Sequence, residues 1–290
     1  MIIISVKHDK CLQIIFVICR KSVLLIATEP FIVITLIGKT YIRTGEEHML
    51  ELQNISFHAD DKDILKDVSL KIDDKFVAIT GPNGSGKSTL LKIIMGIITP
   101  TSGRIIFDGQ DITDLAVNER ANLGLSFAFQ QPVRFKGLKV KDLLSIAAGE
   151  GVDVTKDCKY LSAVGLCAKD YLDREINDTL SGGEMKRIEI AMAAARGGKL
   201  SLFDEPEAGI DLWSFQSLIK VFENLRRVTN GNIMIISHQE RILEIADKII
   251  YLKDGVVDRY DESAKIMSEL NMGRYGCGCA YSRKEGACNG

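Results

Sequence analysis

The chain has 290 residues, 46% hydrophobic and 26% charged, with 37 Lys and Arg against 39 Asp and Glu for a formal net charge of −2. That length allows a full core in one large or two small domains, and the composition is that of a globular protein, not a disordered or fibrous one. The near-balanced charge argues against nucleic acid as the main partner.

Residues 1–48 stand apart from the rest. Residues 1–6, 12–18 and 23–38 are apolar and rich in β-branched side chains. Arg20-Lys21 and Glu29-Pro30 break them, so none reaches the roughly 20 uninterrupted apolar residues of a membrane span. No basic start followed by a small-residue cleavage site marks a signal peptide. Gly45-Glu46-Glu47-His48 stands immediately before Met49, and Gly-Glu-Glu is what a purine-rich ribosome-binding sequence encodes. The expectation is therefore that translation starts at Met49 and that 1–48 is a conceptual extension. The alternatives are a disordered or aggregation-prone leader and a membrane anchor.

From Met49 the pattern becomes that of a folded domain. Residues 50–55 and 68–72 predict strands of a small antiparallel sheet. An apolar strand over 76–80 then runs into Gly81-Pro82-Asn83-Gly84-Ser85-Gly86-Lys87-Ser88-Thr89, and a helical pattern follows over 90–95. The loop fits G-x-x-x-x-G-K-[ST]. Strand, loop and helix together aim backbone N–H groups and a positive helix end at one place, which suits a polyphosphate. Glycines let the backbone approach without Cβ clashes. Lys87 is placed to reach β- and γ-phosphates, and the Ser88 hydroxyl to ligate Mg²⁺.

Gln130 follows in Phe129-Gln130-Gln131-Pro132. Only 49 residues separate Gln130 from Leu180, with no heptad run and no C-x-x-C pair, so the coiled-coil and zinc insertions of DNA-repair ATPases are absent. Residues 132–180 read as a small helical subdomain, helical over 141–148 and 155–166, whose apolar surface would dock a partner. Leu180-Ser181-Gly182-Gly183-Glu184 then opens a helix over 185–195. Ser181 is a candidate N-cap, and Glu184 closes a capping box with it. The stretch is either a well-capped helix start or a second phosphate-binding helix terminus.

A strand over 200–204 ends in Asp204-Glu205-Pro206. Asp204 is placed to hold Mg²⁺. Alternation along an extended chain turns Glu205 the other way, to accept a proton from the attacking water. Another strand, 232–237, ends at His238, at the edge where α/β sheets bind ligands. His238 is thus a candidate γ-phosphate contact.

In combination these motifs resemble the ATP-binding-cassette (ABC) ATPase family, from Met49 to about Met272. The resemblance implies a P-loop α/β fold with an antiparallel β subdomain and a helical subdomain, in a cytoplasmic ATPase using ATP and Mg²⁺. It implies a head-to-tail homodimer sandwiching two ATP molecules, with Lys87 and Ser88 of one copy facing Ser181, Gly182, Gly183 and Glu184 of the other. It makes Glu205, His238 and Gln130 catalytic, Ser88, Asp204 and Gln130 the metal set, and Asp211 a communicator across the dimer. One departure is that Ala59 occupies the position where the family stacks an aromatic residue on adenine. Phe57 lies two residues away, and weaker stacking is expected.

Within the family, Phe129-Gln130-Gln131-Pro132-Val133 and Gly183-Glu184-Met185-Lys186-Arg187-Ile188-Glu189 resemble SufC, the ATPase of SUF iron–sulfur cluster assembly. That implies a SufB-like scaffold as partner. Pro206 in Asp204-Glu205-Pro206-Glu207 is instead transporter-like, and the alternative is the ATP-binding subunit of an ABC transporter docked on a membrane permease.

Of seven cysteines, Cys158 and Cys167 are isolated. Cys277, Cys279 and Cys288 cluster in the Gly-rich tail 273–290, spaced C-x-C-x₈-C, which is no standard zinc or ferredoxin arrangement. The tail is either flexible with incidental thiols or a transient Fe–S or metal contact.

Overall fold

A computed structural model describes residues 2–8, 11–18, 23–28, 31–36, 39–44, 49–131, 135, 137–149, 159–177, 179–208, 212–229 and 231–275. Pro132, residues 155–158, Asp211, Cys277, Cys279 and Cys288 lie outside the described residues. The chain divides into two compact units, Met1–Met49 and Leu50–Gly290.

The first unit is a meander of five strands: β1 (Ile2–His8), β2 (Cys11–Ile18), β3 (Val23–Thr28), β4 (Phe31–Leu36) and β5 (Lys39–Thr44). Each pairs antiparallel with the next. The β-branched content of these runs favours extended strands. Among the described residues no helix is long and apolar enough to cross a membrane.

The second unit begins with β6 (Leu50–Ala59), β7 (Lys62–Ile72), β8 (Phe76–Thr80), α1 (Lys87–Met95), β9 (Ser102–Phe107) and β10 (Gln110–Asp111). It continues through α2 (Val117–Asn122), β11 (Leu125–Ala128), α3 (Val140–Ala148), α4 (Lys159–Ala163), α5 (Ala168–Tyr171) and α6 (Gly182–Arg196). It closes with β12 (Leu200–Asp204), α7 (Leu212–Val228), β13 (Asn232–Ile236), α8 (Glu240–Glu244), β14 (Lys248–Lys253), β15 (Val256–Glu262) and α9 (Ser263–Tyr275).

These strands form two sheets. The smaller is antiparallel, in the order β10-β9-β6-β7. The larger runs β11-β12-β13-β8-β14-β15 and is parallel except at the β14–β15 hairpin. Strands β8 and β12 are buried at every position, as a parallel sheet covered on both faces requires. Phe76 of β8, Phe203 of β12 and Phe222 of α7 meet in the core, with Phe222 ring centroids 6.3 Å from Phe76 and 5.1 Å from Phe203. The segment expected as a helix over 155–166 is shorter in its described part: α4 spans Lys159–Ala163, and a turn follows, with Gly165 in left-handed backbone. Helices α3 and α6 share one core, with Val140, Leu143 and Leu144 buried among Met185, Ile188 and Ala191. The helical subdomain is thus fixed to the helix that Ser181 opens.

One charged side chain organises the end of α1. Arg120 is 1% exposed. Its guanidinium donates to the carbonyls of Ile93 (2.7 Å) and Ile94 (2.8 Å) in the last turn of α1, and to Thr113 (2.6 Å) and Leu115 (3.0 Å). A cation at a helix C-terminus satisfies orphan carbonyls and complements the helix dipole. A Cβ on Gly96, in left-handed backbone past that terminus, would lie 2.8 Å from the Arg120 Nε. Arg120→Met should lower stability by about 2–4 kcal/mol, because it strands several buried carbonyls at once. A urea unfolding curve with a lower midpoint and unchanged slope is the expected result.

Candidate active site

The phosphate loop leaves β8 at the carboxyl edge of the parallel sheet. Gly81 has φ +141°, and a Cβ there would sit 1.9 Å from the Leu252 carbonyl oxygen. Only glycine fits that approach to β14. Gly86, at φ +96°, is the N-cap of α1 and offers no side-chain cap, and no acidic residue stands in the first turn. The N–H groups at the start of α1 are therefore left for an outside acceptor. The Ser85 hydroxyl is likewise buried without a hydrogen-bond partner.

Lys87 is the first residue of α1 and only 5% exposed. Its ammonium donates to the Gly81 and Pro82 carbonyls, both at 2.9 Å. Burial pushes its pKa down, while the charges of Glu205 and Asp204 pull it up. The next residue, Ser88, donates its hydroxyl to Asp204 Oδ1 at 2.9 Å. Asp204 is 3% exposed, and burial pushes its carboxyl up. A hydroxyl beside a desolvated carboxylate is an all-oxygen set of the kind a hard divalent cation takes, with phosphate oxygens completing the shell. Among the described residues, no group of three or more His, Cys, Asp or Glu forms a metal site by itself.

Glu205 lies beyond the end of β12 and has φ +45°. The other described non-glycine residues at positive φ are Asn54, Asp60, Asp61, Asp67, Asp108 and Asp254, types that tolerate that region. A glutamate held there is strained, and such strain persists where the surroundings enforce it. The alternation expected to aim Glu205 therefore does not apply, because the residue is outside the strand. A left-handed kink aims it instead. Glu205 Oε2 accepts from Gln130 Nε2 at 2.8 Å, and Oε1 lies 3.7 Å from His238 Nε2. Both Glu205 and Asp204 act on Lys87, so the two carboxylates serve one site. Burial and the Lys87 charge lower the His238 pKa, against the pull of Glu205; the ring is held toward its neutral form.

Ser181 is the N-cap of α6, as its sequence predicts. Its hydroxyl accepts from the Glu184 N–H at 3.2 Å, and Glu184 Oε2 accepts from the Ser181 N–H at 2.7 Å. Glu184 also accepts from the Tyr171 hydroxyl and from Arg174 Nη1 (3.1 Å). Gly182 and Gly183 form the first turn above this network. The structure thus holds residues 181–184 by the helical subdomain, not by the phosphate loop of the same copy. Ala59 is the last residue of β6 and half-buried, and Phe57 pairs across to Leu65. Cys167 is a free, exposed thiol.

Several site residues have no signature in the sequence. Glu207 Oε1 accepts from the Ser237 hydroxyl at 2.5 Å and from the His238 N–H at 3.3 Å, which fixes the turn that carries His238. Tyr171 and Arg174 reach Glu184 across the fold. Lys186 and Glu189 look like solvent-facing helix charges, yet Lys186 is 2% exposed. A polar residue in the buried stripe of a helix was the one available signal.

Comparison with known proteins bears on the family and the fold. A family model described as "ABC transporter" matches residues 65–208. The chain is 39% identical over 218 residues to an uncharacterized ABC transporter ATP-binding protein of Methanocaldococcus jannaschii, covering 72% of this chain and 87% of that one. It is 34% identical over 226 residues to a probable ATP-dependent transporter of Pyropia yezoensis, covering 72% and 89%. Among solved structures, a dimeric ATP-binding cassette in a post-hydrolysis state with ADP and Pi matches with TM-score 0.65 and 26% identity, over 74% of this chain and 99% of that one.

The Glu184 network makes a pH prediction. Partial burial pushes its carboxyl up, but hydrogen bonds from Tyr171, Ser181 and Arg174 outweigh this and bring it from 4.5 down to about 2. A depressed carboxyl stabilises the fold above its unfolded value and loses that contribution as pH falls toward the folded one. Between pH 4.5 and about 2, wild type should lose more stability than Glu184→Gln, as read by thermal melts at stepped pH.

Proposed function

Because the chain belongs to the ABC ATPase family, we propose that it is the ATP-hydrolysing subunit of an ABC transporter, closing head-to-tail on a second cassette around ATP and driving a membrane permease. The Lys87 ammonium and the free N–H groups of α1 bind the β- and γ-phosphates. Ser88, Asp204 and Gln130 would hold Mg²⁺, which neutralises charge on the phosphate oxygens. Glu205 takes the proton of the attacking water, held in place by Gln130. His238 contacts the γ-phosphate from the end of β13. Ser181 and Gly183 of the second copy would present the N-terminus of α6 to the same phosphate.

The observation that carries the partner reading is an apolar cavity of about 390 Å³ lined by Phe129, the residue before Gln130. Ile97, Val117, Phe129, Phe135 and Ile146 line it and are 39–69% exposed. The described residues offer one other large exposed hydrophobic, Val256. A clustered apolar patch of this kind marks an interaction site, and an apolar helix of a permease fits it. The relatives named as transporters support this occupant.

A second reading has its own observation. Phe129 and Met185, which line the same cavity, belong to the stretches 129–133 and 183–189 whose sequence resembles SufC, which would make the occupant a soluble SufB-like scaffold.

Glu205→Gln should slow ATP turnover by about 10²–10⁴-fold, and Lys87→Ala should weaken nucleotide binding itself; steady-state turnover and fluorescent-ATP titration check the two. Purification of the tagged full chain from detergent-solubilised native membranes should bring a multi-span permease. Its recovery instead with a soluble iron–sulfur scaffold would replace the transporter reading with the assembly one.

A further inference from the structure

Phe129 joins two things the preceding sections keep apart. Its ring is 41% exposed and lines the apolar cavity, edge-on to Phe127 with centroids 4.8 Å apart. The next residue, Gln130, holds the catalytic carboxylate. Between ring and glutamine, both backbone groups of Phe129 are gripped by one helix. Its N–H donates to Glu189 Oε1 at 3.1 Å, and its carbonyl accepts from Lys186 Nζ at 2.6 Å. Lys186 and Glu189 are one turn apart on α6 and pair at 3.5 Å, with side chains 3% and 18% exposed.

A buried ion pair is an expensive way to anchor a loop. Desolvating two charges costs about as much as their attraction returns, and apolar residues of similar size would hold the packing at least as well. What apolar residues cannot do is bind a peptide unit at both ends. Burial pushes the Lys186 ammonium down and the Glu189 carboxyl up, each charge is favoured by the other, and the Phe129 N–H further favours the Glu189 carboxylate. The pair therefore makes the segment before Gln130 part of α6. Helix α6 also begins at Ser181, the residue offered to the second copy.

We infer that Lys186 and Glu189 are positioning residues, a backbone clamp that ties the apolar cavity, the Gln130–Glu205 contact and the Ser181 end of α6 into one moving part. An occupant that displaces the Phe129 ring must move α6 or break the clamp. Partner contact and catalytic geometry then change together, without any direct contact between partner and nucleotide. The inference deepens the ATPase reading of this site and is independent of whether the partner is a permease or a scaffold.

A double-mutant cycle on the full chain tests it. Lys186→Met keeps length and burial but loses both the charge and the donor. It should lower kcat by about 5–20-fold, the scale of coupling between residues of one network, with fluorescent-ATP affinity unchanged. In a Gln130→Ala background the same substitution should lower kcat less than about twofold, because the clamp acts through Gln130. Lys186→Arg, which restores a charged donor, should recover most of the rate. Glu189→Gln gives the cycle a second entry should Lys186→Met fail to fold. Equal losses in both backgrounds, or a loss of ATP affinity parallel to kcat, would overturn the clamp in favour of simple structural damage. Hydrogen exchange at the Phe129 amide reads the clamp without turnover. It should be slow in wild type and faster in Glu189→Gln, whereas equal rates would count against the proposal. A chain whose Phe129 amide behaves this way but which hydrolyses no ATP would instead count against the ATPase reading.

Discussion

The site is built around one unfavourable charge. Lys87 stands at the first position of α1, where the helix dipole already places positive potential. No acidic side chain in that first turn offsets it, and no cap occupies the helix N–H groups. Two carbonyl dipoles and the charges of Asp204 and Glu205 are what the chain supplies in return. The remainder is a standing demand for an anion. A polyphosphate answers it with several negative oxygens at once, at a loop whose close course past Leu252 of β14 and past Ile64 and Leu65 of β7 needs the missing Cβ atoms of Gly81 and Gly86. Much of the surrounding architecture serves to hold that arrangement still. The parallel sheet brings β8, β12 and β13 to one edge, and Arg120 ties down the far end of α1.

Catalytic geometry rests on a second strained element. Glu205 is held at φ +45° and steadied on one oxygen by Gln130. Gln130 hangs from Phe129, and Phe129 hangs from α6. The carboxylate is thus placed by a loop whose Phe129 ring lines the apolar cavity. Glu207 does the comparable service for His238 by gripping the turn between β13 and α8. Two connections, each carrying one group of the site, are anchored to partly buried carboxylates, Glu189 and Glu207. This arrangement suits a machine whose chemistry should wait for a partner and a second copy.

Much of this was legible in the sequence, for physical reasons that differ from place to place. Short, mostly apolar runs over 76–80, 200–204 and 232–236, too brief for helices, point to buried strands. The Ser181–Glu184 capping box is a local interaction between residues three apart, so it survives in any fold. The phosphate loop is local too. What escaped was long-range. Nothing near Arg120 foretells that four carbonyls, from the end of α1 and from residues 113–115, converge on it. Glu205 was assigned its direction by strand alternation, which stops at Asp204. The grip of Lys186 and Glu189 on the Phe129 backbone leaves no local mark, because Phe129 lies far away in sequence. Helix boundaries in the insert also escaped, since periodicity alone extends α4 beyond Lys159–Ala163. Residues 1–48 show β-branched runs, but which strand pairs with which is not written in their composition.

The central claim is that the chain's own site is half of one, completed by Ser181 and Gly183 of a second copy when ATP is bound. Sedimentation velocity of full-length Glu205→Gln, with and without ATP and Mg²⁺, tests this most directly. The account predicts a monomer without nucleotide and a dimer with it, the dimer being lost when Ser181→Arg is added. A protein that binds ATP to saturation and still sediments as a monomer would contradict it.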